Sequence, residues 1–117
     1  MNIIFKNNTS PELDEKYTIL DLDTFRLPDG NQHTACCVVE NIPIDELPNT
    51  SQFKELHANL LKNYGLKNWN FCEQAIDHLM GKWGGEVDTF YQELLTRITF
   101  LKTQDLSDSW TPLIDKT

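Results

Sequence analysis

The sequence predicts an α+β fold in which an amino-terminal antiparallel β-hairpin or small sheet precedes three antiparallel helices and a docked carboxy-terminal tail. Three observations carry this. Two apolar-rich runs, "YTILDLDTF" and "HTACCVV", have the length and composition of strands. "LPDGNQ" between them has the chemistry of a hairpin turn. Beyond the proline-bounded "NIPIDELPNTS" the apolar period lengthens from two to about three and a half residues, that of a helix.

Taken in order, the elements are as follows. "MNIIFKNNTSPELDEK" has neither a basic start followed by a long apolar stretch nor a small-residue cleavage site, so an unprocessed, cytoplasmic chain is expected. Its "NIIF" is a candidate third strand. In the turn, Pro28 and Asp29 take the centre of a type I geometry and Gly30 supplies the left-handed residue of a bulged loop. If Leu27 faces Asn31, then Phe25 faces His33, Asp23 faces Ala35, Leu22 faces Cys36, Asp21 faces Cys37 and Leu20 faces Val38. One face of the hairpin would then carry Leu20, Leu22, Thr24, Val38, Cys36 and Thr34 and pack against something else. The other would carry Asp21, Asp23, Ala35 and Cys37. A lone hairpin is marginal in water, so a third strand or a helix must cover it.

Three helical stripes follow. Phe53, Leu56, His57, Leu60, Leu61 and Tyr64 make the first, entered at Thr50 or Ser51 and ended by Gly65. Trp69, Cys72, Ala75, Ile76, Leu79 and Met80 make the second, with Asn68 as its cap and Gly81 as its stop. After "KWGG" breaks the chain, Val87, Phe90, Tyr91, Leu94, Leu95, Ile98 and Leu101 make the longest. Short loops between helices imply antiparallel neighbours. The tail has no period, yet Trp110, Leu113 and Ile114 are costly to leave in water, so it is expected to dock. The whole reads as one domain, 1–117, with a β-hairpin region at 1–48, a helical region at 49–103 and a tail at 104–117. A chain of this size can remove roughly 65% of its unfolded surface from water.

Charge narrows the function classes. The net charge is −8, and residues 1–50 carry three basic and nine acidic side chains against seven and nine in residues 51–117. No basic stripe exists to displace counterions from a phosphate backbone, so direct nucleic-acid binding is not expected. A basic protein partner is compatible with the acidic surface, and so is mimicry of nucleic acid. The apolar runs are far too short to span a membrane. Three cysteines, two of them adjacent in a strand, read as reduced thiols that pack as small apolar residues.

Within the helical region the order Leu56, Leu60, Tyr64, then Trp69, Cys72, Ile76, Leu79, then Tyr91, Leu94, Ile98 resembles one tetratricopeptide-type helix pair plus the first helix of a next unit. Cys72 takes the small-residue place where the helices touch. Tyr64, Trp69, Leu79, Tyr91, Arg97 and Trp110 are similar to positions in the degenerate helical units that follow some bacterial class III adenylyl cyclase domains. The likeness covers a little over half of the chain. The whole chain also resembles small uncharacterised proteins of cyanobacteria and their phages, which implies no activity. Three departures stand beside the helical likeness: the first inter-helix turn is one residue short, Leu61 replaces the usual small residue, and there is one unit where solenoids stack about three. A single unit leaves a face to cover, so a homo-oligomer is possible.

Asp21 and Asp23 have the D-x-D spacing that haloacid-dehalogenase-type phosphatases use for a nucleophile and its acid/base partner. Here the fifth position is Phe25, the strand runs on into a hairpin turn, and no alternating strand and helix follows to build a parallel sheet. The pair therefore reads as a surface that keeps a strand edge soluble. His33 with Cys36 and Cys37, and Cys72 with His78, lack the paired spacing of a metal site, so no metal and no cofactor are expected. A Cys–His nucleophile would need Cys72 or Cys37 beside His57; as it stands, His57 reads as a half-buried residue bonded to backbone. Trp83, claimed by no stripe, is either an exposed interface anchor or folded back over the helix ends. The function expected is a non-enzymatic interaction module or small adaptor, phage-encoded if the whole-chain resemblance holds, binding a protein partner through Asp21, Asp23, Trp83 and Arg97. Two rivals are an acidic inhibitor of a nucleic-acid enzyme and a divalent-metal-dependent hydrolase using Asp21 and Asp23.

Overall fold

Asp29 organises the turn on which the amino-terminal strands are built. Its carboxylate accepts the Asn31 backbone N–H at 2.9 Å and the Asn31 side-chain amide at 3.1 Å. Leu27 and Asn31 close the loop through a backbone bond of 2.9 Å, and Gly30 takes the left-handed φ of 87° that a side chain would resist. The computed structural model describes residues 2–8, 10–40, 42–108 and 110–115, which form an α+β protein. They fall into two compact units: Met1–Asn41 with Pro112–Thr117, and Ile42–Thr111.

The first unit is a sheet. β1 (Asn2–Phe5), β2 (Thr18–Arg26) and β3 (Gln32–Val39) form an antiparallel set with β3 in the centre, and β4 (Ile114–Asp115) adds two residues parallel to β2 at its outer edge. "NIIF" is therefore a strand, paired from Asn2 opposite Val38 to Phe5 opposite Ala35. The "CCVV" run lacks the alternation of a half-exposed strand because residues of β3 from Ala35 to Val39 are all buried, on both faces of the strand. Between β1 and β2 lies α1 (Pro11–Lys16). Ser10 accepts the Leu13 N–H at 3.2 Å and Pro11 opens the helix, a local start signal that needs no stripe. Periodicity does not find this helix, because six residues are too few to display a stripe.

The expected register holds only near the turn. Phe25 pairs with His33 and Thr24 with Thr34, whose hydroxyls meet at 2.8 Å. A bulge then intervenes: Leu22 and Asp23 together oppose Ala35, and from there Asp21 faces Cys36, Leu20 faces Cys37 and Ile19 faces Val38. The expected pairings of Asp21 with Cys37, Leu22 with Cys36, Asp23 with Ala35 as a simple pair and Leu20 with Val38 are thus corrected by one residue. The shift changes partners without exposing the apolar residues, since Leu20 and Leu22 are both buried.

The second unit is helical: α2 (Thr50–Gly65), α3 (Trp69–Leu79) and α4 (Asp88–Leu101), with short 3₁₀ turns at Leu47–Asn49 and Trp83–Gly85. Its core gathers Leu60, Tyr64, Cys72, Ile76, Leu79, Leu94 and Ile98. The Cys72 thiol donates to the Leu60 carbonyl at 3.7 Å, so a small residue does lie where α2 meets α3. Asn68 caps α3 in position but its side chain donates to Asn63 instead of the helix start. Tyr64, Trp69 and Trp110 stack edge to face, each pair about 5.8 to 5.9 Å apart, so Trp110 of the tail packs on this unit. Among the described residues no helix is long and apolar enough to cross a membrane.

Candidate functional site

The turn from α3 to α4 sets the geometry of the helical unit. Gly81, Trp83, Gly84 and Gly85 all have positive φ, and for Trp83, at 58°, this is an uncommon and costly conformation. A set of hydrogen bonds holds the turn. The Trp83 backbone N–H donates to the Glu46 carboxylate at 2.7 Å, and its indole N–H donates to the Tyr91 hydroxyl at 3.2 Å. That hydroxyl lies 2.9 Å from His57 Nδ1 on α2. Asp88, in the first turn of α4, accepts the Gly81 N–H at 2.8 Å and ties the end of α3 to the start of α4. Trp83 is 0% exposed and His57 2%. Of the two placements left open for Trp83, the inward one is found, so it is not an exposed anchor. His57 is buried instead of half-buried, and its Nδ1 faces a tyrosine hydroxyl.

With the turn clamped, α3 and α4 leave a groove of about 440 Å³ between them, lined by Glu73, Gln74, Ile76, Asp77, Met80 and Leu95. Ile76, 1% exposed, forms the floor, and Leu95, 36% exposed, forms an open apolar wall. Glu73 and Asp77 stand one turn apart on the α3 rim. Glu73 pairs with Lys102 at 2.7 Å, whereas Asp77 is exposed and has no ion-pair partner among the described residues. The Cys72 thiol, beside Glu73 but facing inward, is pushed up to about 11 by burial first and by the Glu73 charge second. A thiol so disposed is a poor nucleophile.

The four residues expected to bind a partner are divided between the two units. Asp21 and Asp23 belong to the sheet unit; Trp83 and Arg97 belong to the helical one. Asp21 pairs with Lys6 at 3.0 Å and accepts from the Cys36 thiol at 3.4 Å, and Asp23 lies in the bulge. Arg97 pairs with Glu93 one turn earlier on α4 at 2.7 Å. Neither Trp83 nor Arg97 lines the groove. All three cysteines are buried thiols, and among the described residues no group of three or more His, Cys, Asp or Glu side chains is placed to hold a metal ion. Stripe periodicity does not reveal the groove, since it places Ile76, Met80 and Leu95 in the core; the sequence signal that does point to it is the pair of acids at i and i+4 flanking that stripe. Comparisons of the chain with protein-family models, with curated proteins and with solved structures return no match.

Proposed function

We propose that this chain is a protein-interaction module whose helical unit presents the α3–α4 groove to a partner. The observation that carries the reading is an apolar-floored groove, open along Leu95 and Met80, on a unit whose turn is clamped from within by Glu46, Tyr91 and the Trp83 indole. Apolar surface bounded by polar groups on a rigid frame is what a docking site needs, since little ordering entropy is then lost on binding. In this reading α2 and α3 act as a degenerate tetratricopeptide-type pair, and α4 takes the place of the next unit's first helix. Asp21, Asp23 and Arg97 stay as secondary contacts; Trp83 acts by shaping the turn.

The test is site-specific photo-crosslinking with a benzoylphenylalanine introduced at Leu95 and, as a control, at the exposed Glu55 on α2. A discrete adduct to another protein from Leu95 and not from Glu55 is the expected result. Equal labelling at both positions, or none at either, would sink the proposal.

A further inference from the structure

We infer, resting on the interaction reading above, that the occupant of the α3–α4 groove is a basic amphipathic helix of another protein, its lysines or arginines lying along the Glu73–Asp77 rim. The spacing is the first argument. Carboxylates at i and i+4 stand about 6 Å apart along one helix face, the separation at which a second helix presents its own i and i+4 cations. The charge is the second. Asp77 has no ion-pair partner among the described residues, and Glu73 is matched only by Lys102, whose side chain is 43% exposed and free to share it. An arriving cation would meet one unmatched carboxylate and one that is shared.

The floor is the third argument. Ile76, Met80 and Leu95 offer apolar contact between the acids of α3 and the opposite wall on α4. Methionine adapts its shape to different side chains, which suits a groove receiving the apolar stripe of a helix. The same charges argue against other occupants. A second copy brings 18 acidic against 10 basic side chains toward a surface that is already acidic, and a nucleic-acid backbone would be repelled by the rim.

The test uses the full chain and a labelled peptide with leucines at heptad a and d positions and lysines elsewhere. A peptide with glutamate in place of each lysine keeps the apolar pattern and reverses the charge. Fluorescence anisotropy should give binding of the lysine peptide about tenfold tighter than of the glutamate peptide. Asp77→Lys should weaken the lysine peptide about fivefold and strengthen the glutamate peptide, whereas Asp108→Lys, an exposed acid outside the groove, should leave both within about twofold. Asp77→Asn, which removes charge without adding any, should give an intermediate loss. Thermal melts of every variant establish that folding is intact.

Equal loss in Asp77→Lys and Asp108→Lys would overturn the inference, because the attraction would then be spread over the whole acidic surface. So would equal affinity for the two peptides, or no binding of either. If Leu95 still crosslinks a partner in those cases, the groove remains an interaction site with an occupant of other chemistry. Crosslinking of Leu95 to a second copy of the chain would also overturn the inference. Absence of both peptide binding and crosslinking would remove the interaction reading with it.

Discussion

Cys72 shows how one buried side chain couples packing to solution conditions. It is fully buried at the contact between α2 and α3, and its ionisation is pushed up to about 11 from the ordinary value of 9.0. Below pH 9 the thiol is protonated in folded and unfolded chains alike, so it contributes no pH dependence. Between pH 9 and 11 the unfolded chain releases a proton that the folded chain keeps, and stability falls as pH rises. Two pKa units correspond to about 3 kcal/mol, reached once the pH passes the folded value. Urea unfolding of the wild type and of Cys72→Ala should therefore converge with pH. The alanine variant starts less stable near pH 8 and should regain about 2 kcal/mol relative to wild type near pH 11. A constant difference across that window would show that the thiol ionises as freely in the fold as out of it.

At the scale of elements, local chemistry decided more than periodicity did. The "LPDG" turn was legible residue by residue, because each position has one physical job, and Gly30 fulfils the one that only glycine does cheaply. A Cβ at Gly30 meets nothing within 4 Å, so Gly30→Ala carries backbone strain and no steric clash. It should cost about 1 kcal/mol by thermal unfolding, and Gly30→Asn clearly less, since asparagine tolerates the left-handed region. Equal effects of the two substitutions would mean that the loop relaxes out of that conformation. The register beyond Thr24 was not legible, because a bulge leaves no mark in composition: Leu20 and Leu22 read as apolar strand positions whichever residues they pair with, and they are buried in the bulged register. α1 was written in Ser10 and Pro11 but hidden from a search for stripes. The three long helices were visible because each stripe spans several turns. The groove between two of them was not, since it depends on how the stripes of α3 and α4 meet and on a left-handed turn at Trp83 that no propensity favours.

For the molecule as a whole, the chain path separates the two units in kind. The helical unit, Ile42–Thr111, is continuous in sequence, whereas the sheet unit draws on both Met1–Asn41 and Pro112–Thr117. A continuous unit closes its core with short loops, and here the network joining Glu46, His57, Trp83 and Tyr91 lies wholly inside it, as does the ring stack of Tyr64, Trp69 and Trp110. With about 70 residues the unit stands near the size at which a single core supplies only about 3–5 kcal/mol, so its autonomy is a quantitative question. Residues 42–111 produced alone should give a helical circular-dichroism spectrum and one cooperative thermal transition. Tyr91→Phe in that fragment removes the hydroxyl to which Trp83 donates and should lower its stability by about 2 kcal/mol. A helical spectrum that melts without a cooperative transition would show that the buried network forms only in the complete chain. A Tyr91→Phe fragment as stable as its parent would show that Trp83 is held without the Tyr91 hydroxyl.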